Sequence, residues 1–315
     1  MTHLKFGIIV DIQAALELAL GGNGGTTANK GSSGGIGGLN MGRIDPVAVV
    51  RNAYEAHGVK SIELPADANY IVPGILTKPE TIKGLQEVRE ELDLEYTVHL
   101  PYIQLALCSM NPHIRKASID TQVETIKACE QIGGINNYIL HLTGDLEDQI
   151  GAFNVPRHYK ELAWGLLLDK GMDSVEEIIS KTEIDPSKIC IENNEGVPFS
   201  DMYDILIDEL DTSICFDIGH CILQREEDPK EFMTKWKGKV HEIHLHNVLY
   251  SLIRNRIHVY EDHRGLVQGI IDIPDFLDHL KDIEYSHPIL LEIMSQKEIA
   301  ESLAMLRKKG YINGN

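Results

Sequence analysis

The chain has 315 residues, 43% of them hydrophobic, and a formal net charge of −19. That length allows two small domains or one barrel of about 250 residues with insertions. The acid excess argues against a general nucleic-acid binder, which shows a basic face, and no apolar run reaches the roughly 18 residues of a membrane-spanning helix.

The segment Met1-Thr2-His3-Leu4-Lys5 runs straight into a strand and lacks a signal-peptide layout. The cysteines are Cys108, Cys129, Cys190, Cys215 and Cys221, with no CxxC pair. Cys190 and Cys215 lie inside apolar runs, where a thiol behaves as a small hydrophobe. A reduced, cytoplasmic setting is the expectation.

Strand and helix alternate from end to end. A strand over Lys5 to Ile12 is followed, after an insertion, by a helix over Pro46 to Ala56. Asp45 is its N-cap and Pro46 its first residue. A strand over Lys60 to Leu64 precedes an amphipathic helix over Lys78 to Leu92. The strand Tyr96-Thr97-Val98-His99 precedes a helix within Pro112 to Ile132. The strand Tyr138-Ile139-Leu140-His141 precedes one within His158 to Lys181. Ile189-Cys190-Ile191-Glu192 leads to a helix near Ser200 to Leu210, and Ile214-Cys215-Phe216-Asp217 to one over Pro229 to Trp236. Glu242-Ile243-His244 leads through a long loop to Pro274 to Lys281. Ile289-Leu290-Leu291-Glu292 leads to Lys297 to Lys309. Eight apolar strands and eight helices in alternation predict a single-domain (β/α)8 TIM barrel over residues 1–315.

Two stretches interrupt the rhythm. A Gly-, Ser-, Thr- and Asn-rich insertion at 21–42 follows strand one, and a long loop at 247–273 follows strand seven. Both fall on the strand-exit face. The glycine-rich stretch reads as a flexible loop, or as a lid or a nest of backbone N–H groups over the site.

Six successive strands end on a metal-ligand side chain: His99, His141, Glu192, Asp217, His244 and Glu292. Glu63, at the end of Ser61-Ile62-Glu63, offers a further carboxylate. In a parallel barrel those ends form one face, where chemistry sits. His220 follows Asp217 by three residues, and Glu261 and His263 lie in the strand-seven loop. His244 and His246 share one side of a strand, with His244 the expected ligand and His246 expected either to support a ligand from behind or to contact substrate. Imidazole and carboxylate ligands suit Zn²⁺, Mn²⁺ or Co²⁺, and the absence of cysteine from the set argues against an iron–sulfur or purely structural zinc site.

These motifs resemble the xylose-isomerase-like barrel superfamily, and within it the endonuclease IV branch. The likeness spans roughly Lys5 to Leu306. It rests on His99-Leu100-Pro101-Tyr102, His141-Leu142-Thr143-Gly144, Glu192-Asn193-Asn194, Asp217-Ile218-Gly219-His220, His244-Leu245, Glu261-Asp262-His263 and Glu292. The resemblance implies a cluster of two or three zinc ions held by His99, His141, Glu192, Asp217, His220, His244, Glu261, His263 and Glu292. That branch carries a basic and aromatic loop after strand two that enters DNA; here Pro65-Ala66-Asp67-Ala68-Asn69-Tyr70 contains no Arg or Trp.

The sugar isomerase and epimerase branch shares the core Glu192, Asp217, His244 and Glu292. In that chemistry the two glutamates are acid and base around one ion, Mn²⁺, Co²⁺ or Mg²⁺ among them. Asp262-His263-Arg264-Gly265 resembles that branch's loop. The leading expectation is a multinuclear zinc hydrolase that cleaves a phosphoester or amide of a small polar metabolite with a metal-activated hydroxide. Glu192 and Glu292 are its expected catalytic-site carboxylates, as bridging or shared metal ligands, with His141 and His99 holding the outer ion, and Tyr102, Asn194, His246 and Arg264 are the expected substrate contacts. A single-metal sugar isomerase or epimerase is the second reading, an abasic-site endonuclease the third, and a non-catalytic metal-binding protein the last. Oligomeric state is left open.

Overall fold

The computed structural model describes residues 4–10, 45–144, 150, 154–194, 201–224, 228–253 and 257–312. The insertion at 21–42 and the pair Glu195-Gly196 lie outside the described residues. Eight parallel strands close into a barrel: β1 (Lys5–Ile9), β2 (Ser61–Pro65), β3 (Glu95–His99), β4 (Ile135–Leu140), β5 (Ile189–Glu192), β6 (Ser213–Asp217), β7 (Val240–Leu245) and β10 (Pro288–Leu291). Their order around the barrel is β1-β10-β7-β6-β5-β4-β3-β2. The fold is the (β/α)8 barrel expected from the alternation.

Around the barrel run α1 (Pro46–His57), α3 (Pro79–Leu92), α4 (Pro112–Glu130), α5 (Arg157–Thr182), α6 (Asp201–Leu210), α8 (Pro229–Trp236), α9 (Ile273–Asp282) and α10 (Gln296–Lys308). Their starts follow local chemistry. The side chains of Asp45, Asn111, Asp228, Asp272 and Ser295 each accept a backbone N–H of the first turn, which satisfies donors a helix leaves orphaned. Helix α1 ends at Gly58, whose φ of 66° is the left-handed value glycine adopts freely. Several of these helices bury one stripe. In α9 it is Ile273, Phe276, Leu277 and Leu280, the i, i+3, i+4, i+7 spacing of an amphipathic helix.

Three elements depart from the expected plan. Short helices α2 (Ala68–Ile71) and α7 (Ile218–Gln224) follow β2 and β6 directly. The stretch 247–273, read as an irregular loop, contains an antiparallel hairpin of β8 (Asn247–Ile253) and β9 (Ile257–Arg264). Among the described residues no helix is long and apolar enough to cross a membrane.

Side chains along a strand alternate between faces. Tyr96, Val98, Tyr138, Ile191 and Phe216 therefore join the core between barrel and helices, while their neighbours point to the barrel axis. The axial set begins with Gly7, where an added Cβ would lie 2.2 Å from the Ser61 carbonyl oxygen and 2.3 Å from Leu290. Ile139, Cys190 and Cys215 form a small separate apolar cluster. Beside it are Glu63, Thr97, Asn137 and Glu242, all buried, where barrels of this kind ordinarily carry branched apolar side chains.

Candidate metal centre

The axial alternation lifts His99, His141, Glu192, Asp217, His246 and Glu292 to the strand-exit end. Two reciprocal hydrogen bonds brace β5 against β6: Asn193 Nδ2 donates to the Asp217 carbonyl (2.9 Å), and the Asp217 N–H donates to Asn193 Oδ1 (2.7 Å). The carboxylates of Glu192 and Asp217 are thereby set side by side.

Glu192 is the hub. Its Oε2 lies 3.0 Å from His141 Nε2 and 3.5 Å from His99 Nε2. Its Oε1 lies 3.5 Å from His220 Nδ1 and 3.7 Å from His244 Nδ1. The Tyr102 ring stacks on His141 at 4.5 Å between centroids and meets His99 edge-on at 5.3 Å. Asn194 Nδ2 donates to the Thr143 carbonyl (3.1 Å) and approaches His141 Nδ1 (3.4 Å).

His244 Nδ1 lies 3.0 Å from Glu292 Oε2, off the line of a hydrogen bond, so both remain buried atoms without a hydrogen-bond partner. His246 is different. Its Nδ1 accepts the backbone N–H of His263 (2.9 Å), so its proton sits on Nε2, which faces both oxygens of Asp217 at 3.0 and 3.1 Å. A neutral imidazole carries one lone pair, and that of His246 is already taken, so His246 orients Asp217. For His220, Nδ1 lies 2.9 Å from the Asn193 carbonyl oxygen; a proton on Nδ1 leaves Nε2 with the lone pair. His263 Nδ1 lies 3.0 Å from Asp262 Oδ1 and its Nε2 3.5 Å from Glu292 Oε1.

Among the groups of ligand atoms that lie within 4.8 Å of one another are His99, His141 and Glu192; Glu192, Asp217, His244 and Glu292; His220, Asp262 and His263; and Glu192, Cys215 and His244, which brings a cysteine beside the set expected to lack one. A further combination joins Asp217, His246, His263 and Glu292.

Glu261 and Arg264 are not brought in, and Asn194 and His246, expected as substrate contacts, are buried and do not line the cavity over the cluster. Glu261 is 47% exposed and bonds Arg264 at 2.5 Å. Arg264 also holds Glu298 at 2.7 Å. Neither lines the cavity over the cluster. Successive strand residues point to opposite sides, so in Glu261-Asp262-His263 it is Asp262 that stands beside the imidazoles of His220 and His263 instead. The sequence showed Asp262 only as the middle of that triplet.

The cavity, about 290 Å³, is lined by His99, His141, Glu192, His220, His263 and Glu292. Ile9, Pro65, Asp67, Tyr102, Ile103, Ile293 and Met294 complete its lining. Asp67 was not singled out from the sequence. Its carboxylate accepts the backbone N–H groups of Tyr102 (3.3 Å) and Ile103 (3.4 Å), and its burial raises its pKa despite them. No Lys or Arg lines the cavity among the described residues.

The electrostatics are those of a cation site. Burial would lower the pKa of His99, but the carboxylates of Glu192 and Glu63 outweigh it and hold the ring near pKa 9. Burial likewise opposes His263, which Glu292 and Asp262 raise to about 11. Against their own desolvation, Glu192 is held well below the usual carboxylate range by His141 and His244, and Glu292 by His244 and His263. A field that traps protons on buried imidazoles also attracts divalent ions, whose charge would relieve the same repulsion. The donor set of neutral imidazole and carboxylate, and the orphaned His244 Nδ1 and Glu292 Oε2, fit such an ion.

Residues 51–309 match the family model described as xylose isomerase-like TIM barrel, and the chain belongs to that family. It is 26% identical over 246 residues to an uncharacterized protein of Methanocaldococcus jannaschii, MJ1311, covering 73% of this chain and 75% of that one. The fold resembles a D-tagatose 3-epimerase-like protein with a TM-score of 0.64 at 19% identity, covering 97% and 96% of the two chains. It also resembles endonuclease IV from Thermus thermophilus, with a TM-score of 0.58 at 16% identity and coverage of 83% and 93%. A metal-dependent enzyme of the hydrolase or isomerase/epimerase kind fits this membership.

Proposed function

We propose that the chain is a multinuclear divalent-metal hydrolase that cleaves a phosphoester or amide bond in a small substrate. The observation that carries this reading is Glu192, whose two carboxylate oxygens face two different histidine groups. A carboxylate so disposed can serve two ions at once. His99 and His141 would complete one site, Asp217, His244 and Glu292 a second, and His220, Asp262 and His263 a third. Zinc is the ion best suited to this ligand set. When bound, such ions supply Lewis acidity and lower the pKa of water to about 7.

The protein's own contribution is arrangement. His246 fixes Asp217, and Asp67 ties down the Tyr102–Ile103 backbone. Ile103, Ile293 and Met294 add apolar surface to the cavity, and Tyr102 stacks on the His141 ring. Without a basic side chain on the described walls, an anionic substrate group would be held by the ions alone. A pocket of this size suits a small molecule, and the loop over residues 65–70, folded partly into α2, offers no basic wedge for duplex DNA.

A second reading, a single-metal sugar epimerase or isomerase, is favoured by Glu192 and Glu292, which both approach His244 Nδ1, at 3.7 and 3.0 Å. Two carboxylates on opposite sides of one substrate carbon can remove and return a proton. Substitution His99→Ala separates the two. It abolishes hydrolysis of phosphoesters and amides under the first reading and only weakens ketose epimerisation under the second. Full hydrolytic activity in that variant would contradict the multinuclear site.

A further inference from the structure

We propose that Glu63 is the positioning residue for the His244 imidazole, and that Thr97, Glu242 and Asn137 form the buried chain behind Glu63. The assignment rests on the reading of His244 as a metal ligand and extends it one layer into the barrel.

His244 is fully buried, with its two nitrogens facing opposite ways. Nδ1 faces the ligand group, 3.0 Å from Glu292 and 3.7 Å from Glu192. Nε2 faces down the barrel, 3.4 Å from Glu63 Oε2. A ligating imidazole must turn its lone pair to the ion and its proton away, and the partner of that proton fixes both the tautomer and the ring's orientation. A carboxylate on the Nε2 side accepts that proton and leaves Nδ1 for the ion.

Glu63 Oε2 also lies 3.4 Å from Thr97 Oγ1, which donates to Glu242 Oε1 at 3.0 Å, while Glu63 Oε1 is buried without a hydrogen-bond partner. Asn137 Nδ2 donates to Glu242 Oε2 at 2.7 Å and lies 3.0 Å from the His241 carbonyl oxygen. The chain crosses the barrel from β2 through β3 to β7 and β4. All four residues are buried, and none lines the cavity, so none can touch a substrate. Burying two carboxyl groups in a barrel interior is costly unless they are bonded, and packing alone gives no reason for them. Their connection to the inner nitrogen of His244 does.

The test uses the full chain loaded with zinc. Long-range ¹H–¹⁵N spectra read each imidazole's tautomer, and chelator competition reads zinc affinity. Wild type should carry the His244 proton on Nε2 and a zinc-shifted Nδ1. Glu63→Leu should lose that pattern and weaken zinc binding by roughly 10–100-fold, the usual effect of losing such a partner. Glu63→Gln, which keeps an acceptor oxygen, should retain most of the affinity, and Thr97→Val should show a smaller loss. Wild-type affinity and an unchanged His244 in Glu63→Leu would overturn the assignment while leaving the ligand reading intact. Should Glu63→Leu not fold, an unchanged Thr97→Val together with a Glu63→Gln as weak as a ligand deletion would overturn it. No zinc signature at His244 in wild type would overturn the ligand reading and this assignment with it.

Discussion

At the scale of single residues, the site depends on which oxygen faces which nitrogen. Glu192 serves two histidine groups, so Glu192→Gln should cost more zinc affinity than the roughly 10–100-fold that an outer partner contributes. It should also lower the number of ions bound per chain, read by elemental analysis. Glu261 and Asp262 make a paired contrast. Glu261→Gln loses a surface pair with Arg264, worth about 0–1 kcal/mol, and should leave metal content unchanged. Asp262→Asn should lower it. Much of this was legible beforehand, since a His, Glu or Asp at the end of each of six strands has one place to go in a parallel barrel. Asp262 was not, because which of two adjacent carboxylates faces the site turns on the phase of strand β9, which the triplet alone does not fix. The tautomer of His246 depends on the His263 N–H, which a sequence does not reveal.

At the scale of elements, the strand-to-helix joints set the precision of the site. Helix α7 starts directly after Asp217, and Gly219 lies so close to His246 that an added Cβ would meet its Cε1 at 2.0 Å. Gly219→Ala should therefore displace His246 and destabilise the fold by about 1–3 kcal/mol, measured by denaturant unfolding of the chelated protein. Asn247 ties the hairpin to the following loop. Its Oδ1 accepts the N–H groups of Val248 and Ile271, and its Nδ2 donates to the Ile271 carbonyl. Leaving such buried groups unsatisfied costs about 1–3 kcal/mol, the expected loss for Asn247→Ala in the same measurement. The alternation of strands and helices was readable because apolar runs and caps are local. The hairpin was not, because its pairing runs between residues up to 17 apart and polar residues interrupt it.

At the scale of the whole molecule, the cluster couples stability to pH and to metal. In the metal-free chain His99 is held near pKa 9, above its ordinary value of about 6.5. That contribution is fully present below about 6.5 and is lost as pH rises through 9. Glu242, held well above the carboxylate range by burial and by Glu63, has the same sign. Glu192 and Glu292, held well below it, lose their contribution only in acid, as pH falls below about 4.5. Melting of the chelated protein should therefore weaken between pH 6.5 and 9. Metal stabilisation should grow over the same range, because ligation requires deprotonated imidazoles. A gap between loaded and chelated protein that stays constant with pH would argue that these imidazoles do not ligate.

The central claim is a shared carboxylate that links more than one ion, and counting the ions tests it most directly. Elemental analysis of freshly purified full-length protein should give two or three zinc ions per chain, falling in Glu192→Gln. A single manganese, cobalt or magnesium ion per chain, unaffected by loss of His99 or His141, would contradict the multinuclear centre and leave the single-metal epimerase chemistry in its place.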